Sequence, residues 1–171
     1  MAFKRDFSLD ENTYRHYLNG HPVVMHSHHY LALITKLAED LAAVDGPQIL
    51  ADAVEDSMRP IFEDFFDKND ISALKDKSAV CTEYFSTFGL GKIAINGNEH
   101  SGEAQLSRSH LDEGWLMKWG EHDKPINHFT RGYVAAVFAA LFGHPPRSYT
   151  VTETAAMVTG EDQSVFVVKK A

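Results

Sequence analysis

The segment GYVAAVFAALFG, residues 132–143, contains the longest apolar run of the chain, Tyr133–Phe142. A helix formed by this run is apolar on every side. Such a helix must be surrounded by protein, and its alanines allow neighbouring backbones to approach closely. A bilayer span needs about 20 apolar residues, roughly twice this length. The segment therefore predicts a buried helix at the centre of a globular domain and no membrane span.

Turn and cap residues on either side delimit this helix and the elements after it. It is predicted to begin near Lys124-Pro125, because proline suits the first helical turn. It is predicted to end at residues 143–146, where glycine is followed by two prolines. Two runs with β-strand composition follow, at residues 149–158 and 164–169, with a turn between them. The C-terminal part thus predicts a long helix and then a β-hairpin.

A second hairpin and a short helix are predicted before the central helix. Residues 92–96 alternate apolar and polar side chains, and Asn96-Gly97-Asn98 is a turn signal. Residues 103–109 are therefore predicted to return as the partner strand. Ser109 is a suitable N-cap for a short helix, whose inner face carries Leu111, Trp115 and Trp119.

The N-terminal half predicts helices, over residues 26–44, 47–66 and 72–88. In the first, apolar residues recur at spacings of three and four, which predicts one buried stripe. The stripe consists of Tyr30, Leu33, Leu37, Leu41 and Val44. Pro60 lies inside the second helical pattern and predicts a kink or a break there.

Composition and charge indicate one globular domain and restrict its partners. The chain has 171 residues, a length typical of a single domain. Its net charge of −8 repels phosphate backbones, which disfavours nucleic acid as a partner. One cysteine, Cys81, excludes an intramolecular disulfide and suits a reducing compartment. The first residues carry no export signal, so we expect a cytoplasmic protein.

Four motifs resemble the 4-vinyl-reductase-like family, also described as a predicted hydrocarbon-binding domain. The motifs lie between Cys81 and Val168: Phe88-Gly89-Leu90-Gly91, Glu113-Gly114-Trp115, the segment 132–143, and Val151-Thr152-Glu153-Thr154 with Gly160 after it. The resemblance implies an α+β fold, a twisted antiparallel β-sheet of about four strands with helices packed on it. That fold is also similar to haem nitric-oxide sensor domains and vesicle-tethering subunits. It implies one domain over residues 1–171, with residues 1–70 as a helical region, residues 71–171 as a mixed helix and sheet core, and assembly as a homodimer.

The chain departs from the family in its last hairpin. Many relatives carry two cysteines there, and the matching positions are Ala156 and Ser164. No thiolate metal site is available at this hairpin, so zinc is not expected there.

The resemblance implies an apolar ligand between helices and sheet. Aromatic residues on the helix faces would line the pocket, although the same spacing suits an ordinary core. The predicted ligand-binding residues are Tyr84, Phe85, Trp115, Phe129 and Tyr133. A tetrapyrrole with a histidine as axial ligand is included among the ligands.

The cluster His26-Ser27-His28-His29 predicts a metal site, because imidazole is the commonest neutral metal ligand. Its alternative is a polar first helical turn with solvated rings. His110 and Glu113, one helical turn apart, would complete the site, although they also suit a cap and a helix N-terminus. Mixed imidazole and carboxylate ligands suit iron, zinc or manganese.

Three functions remain open from the sequence. The first is binding or sensing of a small apolar molecule, which we favour over an enzyme. The second is a metalloenzyme that uses the histidines. The third is a dimeric adaptor subunit without ligand chemistry. The sequence has no glycine-rich phosphate loop, no Gly-x-Ser-x-Gly and no His-Glu-x-x-His, and no motif for a nicotinamide or a flavin, so we assign no reductase activity.

Overall fold

The computed structural model describes residues 3–171 and has an α+β fold. The strands are β1 (Phe7–Asp10), β2 (Arg15–Leu18), β3 (His21–Val23), β4 (Gly91–Gly97), β5 (Ser101–Ser109), β6 (Tyr149–Ala155) and β7 (Ser164–Lys170). The helices are α1 (His28–Asp40), α2 (Gly46–Lys68), α3 (Leu74–Thr87), α4 (His110–Trp119) and α5 (His128–Phe142). Single 3-10 turns follow α1, at Ala42–Val44, and β6, at Met157–Thr159. No helix formed by the described residues is long and apolar enough to cross a membrane.

The main sheet has four antiparallel strands in the order β4-β5-β7-β6. It combines the two hairpins that the sequence predicts, joined where β5 pairs with β7. The predicted α+β class with a four-stranded antiparallel sheet is therefore confirmed.

Helix α5 is the buried centre of the molecule, as its apolar run predicts. All of its residues from Gly132 to Leu141 are buried. It packs against α2 on one side and contacts β6 and β7 on the other. Gly132 permits the contact with α2, because a Cβ there would lie 2.0 Å from the carbonyl oxygen of Ala51. The helix starts at His128, later than predicted, because Asn127 is its N-cap and accepts a hydrogen bond from the Thr130 amide at 3.0 Å.

The prediction that residues 1–70 form a helical region is wrong for residues 7–23. They form a small antiparallel sheet in the order β1-β2-β3. The connection between β2 and β3 is Asn19-Gly20, and both residues have positive φ, 51° and 82°. A two-residue Asn-Gly connection is a strong hairpin signal, but the strands it joins are too short to show a clear alternation.

The predicted buried stripe of the first helix is also wrong. Tyr30, Leu33, Leu37, Leu41 and Val44 are all exposed. The buried face of α1 consists instead of Leu31, Ala32, Thr35 and Ala38. This face packs against α2 and α4, and the larger apolar residues lie on the opposite, exposed side.

Helix α2 continues through Pro60 without the predicted break. The helix extends for two further turns beyond the proline, up to Lys68. The buried residues Met58, Phe62, Phe65 and Phe66 lie on both sides of Pro60, so core packing holds the helix together there.

Candidate ligand-binding site

Three of the five predicted ligand-binding residues pack tightly together between α2, α3 and α5. Tyr84, Phe85 and Tyr133 are fully buried. The ring of Tyr133 lies edge-on to those of Phe85 and Phe62, at centroid distances of 5.0 and 5.3 Å. The Tyr133 hydroxyl donates a hydrogen bond to the Cys81 carbonyl at 2.7 Å. These rings form a tightly packed aromatic cluster.

Trp115 lies elsewhere, on α4. Its ring contacts those of Trp119 and His122, at centroid distances of 4.8 and 5.3 Å. The indole Nε1 is buried and has no hydrogen-bond partner among residues 3–171. The structure therefore does not bring Trp115 together with the aromatic cluster.

Phe129, the remaining predicted residue, lines an apolar cleft of about 230 Å³. The cleft lies where β3, α1, α2 and the first turn of α5 meet the connection between α3 and β4. Its walls come from residues far apart in sequence. Sequence patterns therefore predicted only two of them, His26 and Phe129, as site residues. The lining residues are Pro22, Val23, Val24, His26, Leu31, Met58, Ile61, Phe88, Leu90 and Phe129.

His26 is the one lining residue with a polar side chain. Its ring lies 5.2 Å from that of Tyr30, and its Nδ1 lies 3.3 Å from the Ser27 carbonyl oxygen. The residue is exposed, so the imidazole stands at the rim of the cleft. The cleft can therefore offer a guest extensive apolar contact and one hydrogen-bonding group.

The other predicted metal ligands lie near the start of α4. The rings of His28 and His29 are 4.3 Å apart, and His28 packs against Gly114. His110 contacts the Gly89 carbonyl through Nδ1. The pKa of Glu113 is lowered, mainly by its hydrogen bond from Arg108 at 2.7 Å and further by the nearby His110 and His28.

Two predicted histidines are thus brought near Glu113, whereas His26 belongs to the cleft. Within residues 3–171 there is no group of three or more His, Cys, Asp or Glu side chains arranged to hold a metal ion.

His128, the first residue of α5, is buried. Its Nε2 lies 2.5 Å from Glu39 Oε1. Its Nδ1 lies 3.0 Å from Arg131 Nη1, which can only donate, so Nδ1 is the acceptor and Nε2 carries the proton. Burial lowers the pKa of His128 despite the adjacent carboxylate, so the neutral form is favoured.

A buried polar network that sequence reasoning missed lies next to the last hairpin. Ser164 donates a hydrogen bond to Asp112 at 2.9 Å and accepts one from the Met157 amide at 3.0 Å. The Asn127 amide donates to Glu153 at 2.9 Å, and its side chain approaches Asp112 at 3.4 Å. The network therefore links α4 and the N-terminus of α5 to both strands of the hairpin.

Both carboxyl groups of this network are buried. Burial raises the pKa of Asp112, and burial together with the nearby Asp112 raises that of Glu153 to about 8. The Oε1 atom of Glu153 has no hydrogen-bond partner within residues 3–171. The network includes Ser164. This is one of the two hairpin positions at which the family resemblance implies cysteine, and the other, Ala156, is buried and apolar.

Solved structures of other proteins share this fold. The fold is shared with one phenol-responsive sensory domain and with one subunit of a trafficking complex. The phenol-responsive sensory domain of the transcription activator PoxR, determined with phenol, is 13% identical, with a TM-score of 0.78 over 96% of this chain and 84% of that chain. A trafficking protein particle complex subunit 3 from Naegleria fowleri, covalently bound to palmitic acid, is 14% identical, with a TM-score of 0.55 over 84% of this chain and 95% of that chain.

A vinyl-4-reductase family protein is also among the similar structures. It comes from Methanocaldococcus jannaschii and is 18% identical, with a TM-score of 0.44 over 84% of this chain and 92% of that chain. Searches with family models and against curated proteins give no match.

Proposed function

We propose that this chain binds a small apolar molecule, of the size of a substituted single aromatic ring, in the cleft between β3, α1, α2 and α5. The observation that carries the proposal is the lining, in which nine apolar residues surround the space and one imidazole stands at its rim. An engineered protein cavity of roughly 150 Å³ binds benzene, so a cleft of about 230 Å³ has room for a ring with a small substituent.

The shared fold supports this ligand class. The PoxR sensory domain, with which the chain shares its fold over 96% of its length, was determined with phenol. A phenol-like guest would place its ring against Phe129 and Ile61, and its hydroxyl would face the imidazole of His26. Burial of the ring supplies the affinity, and the single hydrogen bond orients the guest.

Calorimetric titration with phenol tests the proposal. Ile61→Trp fills the cleft and is expected to weaken phenol binding at least about tenfold, because no room remains for the ring. Leu74→Trp is the matched control, since Leu74 lies on α3 in a separate surface cleft and is expected to leave binding unchanged. Wild-type protein that binds no phenol would contradict the proposal, and so would loss of binding in the control alone.

The role of His26 is tested by comparing phenol with toluene, which has a similar shape but no hydroxyl. His26→Ala is expected to weaken phenol binding by about five- to tenfold, the equivalent of one hydrogen bond of about 1 kcal/mol, and to leave toluene binding nearly unchanged. Equal losses for both ligands would assign His26 a packing role only.

A metal site is the second candidate from the sequence. His28 and His110 lie close enough to Glu113 to lower its pKa. No three such side chains among residues 3–171 are arranged to hold an ion, so binding would require these side chains to move together. Two imidazoles and a carboxylate could hold iron or zinc together with water molecules. Elemental analysis of the purified protein, before and after incubation with each metal, tests it against the double variant His28→Ala, His110→Ala. Equal metal content in both proteins would reject this site. Visible absorbance of the same preparation tests for a bound tetrapyrrole.

The adaptor alternative predicts no guest at all and a contact surface for another chain. The apolar cleft favours the ligand proposal over an adaptor without ligand chemistry. Assembly into a homodimer, implied by the family resemblance, is compatible with either function.

A further inference from the structure

Five large apolar side chains of α1 and the 3-10 turn after it face solvent. The rest of residues 3–171 covers them only in part. Their exposed fractions are 52% for Tyr30, 40% for Leu33, 53% for Leu37, 55% for Leu41 and 63% for Val44. We call these residues the α1 stripe. Single exposed apolar residues are ordinary, but a contiguous group of five is uncommon on a monomer and marks a contact surface.

The spacing of the α1 stripe is symmetric about Leu37. Leu33 and Leu41 are four residues before and after it, and Tyr30 and Val44 are seven residues before and after it. If two copies pair antiparallel about a twofold axis at Leu37, Leu33 faces the second copy's Leu41, and Tyr30 faces its Val44. An isologous interface requires this self-complementarity, whereas an unrelated partner does not.

The charges around the α1 stripe also fit such a pairing. Lys36 and Asp40 form an ion pair within one helix and neutralise each other beside the stripe. His29 and Asp45, both exposed, are each eight residues from Leu37, so the twofold brings a group that can be cationic opposite a carboxylate.

Exposed apolar residues extend the surface beyond the α1 stripe. Val24 and Met25 precede α1, and Ile49 follows the 3-10 turn, all three largely exposed. Eight large exposed apolar residues thus fall within residues 24–49.

We infer that a second copy of this chain covers the α1 stripe in an antiparallel, twofold-symmetric dimer with Leu37 on the axis. Tyr30, at one end of the stripe, contacts His26, so the interface would border the apolar cleft. The dimer does not depend on the ligand, and it can be tested without one.

Sedimentation velocity of the full chain tests the surface. The wild-type protein is expected to have the mass of two chains, and Leu37→Asp is expected to be monomeric, because it places two carboxylates at the axis. Leu74→Asp, a similarly exposed apolar position on α3, is the control and is expected to remain dimeric. Circular dichroism checks that both variants are folded. A monomeric wild type, or a dimer that Leu37→Asp leaves intact, overturns the inference.

Oxidative cross-linking tests the symmetry. Leu37→Cys is expected to form a disulfide with its copy, since only residues near the axis approach each other. Tyr30→Cys is expected not to, because its two copies would be about 21 Å apart along antiparallel helices. The native Cys81 is buried and does not interfere. Efficient self-cross-linking of Tyr30→Cys would indicate parallel pairing and overturn the antiparallel arrangement.

Discussion

At the scale of single residues, burial controls the protonation of Glu153. Its side chain is almost completely buried, beside the second buried carboxyl group of Asp112, and only one of its oxygens accepts a hydrogen bond from residues 3–171. Two buried carboxylates without a paired cation are unfavourable, so a proton on one of them stabilises the fold. The fold therefore favours the protonated form of Glu153.

The stability of the protein is expected to fall as pH rises from about 4.5 to about 8, because the pKa of Glu153 is raised from its ordinary value to about 8. In that interval the folded chain binds more protons than the unfolded chain, so rising pH favours unfolding. Glu153→Gln imitates the protonated carboxyl group and is expected to reduce this loss, leaving a more stable protein at pH 8. Urea denaturation at several pH values measures it.

Glu161→Gln is the control for this prediction. Glu161 is exposed in the turn of the same hairpin, and its replacement is expected to leave the pH dependence unchanged. An unchanged slope in Glu153→Gln would show that Glu153 is ionised in the folded protein.

Some residues of the candidate site could be predicted from the sequence, and others could not. The absence of a thiol at Ala156 and at Ser164 was visible in the sequence of the last hairpin. The network around Asp112 and Glu153 was not, because its members lie on four elements and carry no local spacing signal. For the same reason, only Phe129 and His26 of the cleft lining were predicted from the sequence as site residues.

At the scale of elements, the contact of α2 with α5 depends on Gly132. Gly132→Ala places a methyl group against the Ala51 carbonyl and forces the helices apart, at an expected cost of about 1–3 kcal/mol in the free energy of unfolding. Gly160→Ala serves for comparison, because Gly160 has open space around it but a φ of +92°. Its cost, of roughly 1 kcal/mol, is due to backbone strain alone.

Urea denaturation of both glycine variants separates packing from backbone strain. The expectation is a larger loss for Gly132→Ala than for Gly160→Ala. A Gly132→Ala protein as stable as the wild type would mean that α2 and α5 do not approach as closely as the structure shows.

Helix positions were largely predictable, but the buried face of one helix was not. The continuous apolar run of α5 and the apolar periodicity of α2 located both helices, and turn and cap residues indicated their ends. In α1 the same periodicity identified the α1 stripe, which is exposed in the single chain. An apolar spacing shows that a face is suited to burial, without showing whether the same chain or another chain buries it.

The N-terminal strands were missed for a different reason. Strands β1, β2 and β3 have four, four and three residues, too few for alternation to stand out. Their order depends on the positive-φ turn at Asn19-Gly20 and on the burial of Leu18, which is a tertiary contact. This small sheet matters for function because β3 forms one wall of the cleft.

At the scale of the whole molecule, the cleft joins the small sheet to the helical core. Val23 comes from the first, and Met58 and Phe129 come from the second. A guest that contacts both is expected to bind the folded chain and not the unfolded chain. Phenol at about 100 times its Kd is therefore expected to raise the free energy of unfolding by about 2.7 kcal/mol, which thermal unfolding measures as a higher Tm. An unchanged Tm under saturating phenol, with Ile61→Trp as the cleft-filled control, would contradict binding in the cleft.

The most direct test of the central claim is a crystal structure of the protein with 4-bromophenol, in which anomalous scattering locates the bromine. The account predicts one strong anomalous peak in the cleft, between Ile61 and Phe129, with the phenolic oxygen toward His26. A peak in the separate cleft beside Leu74, or no peak at a concentration that saturates binding in solution, would contradict it.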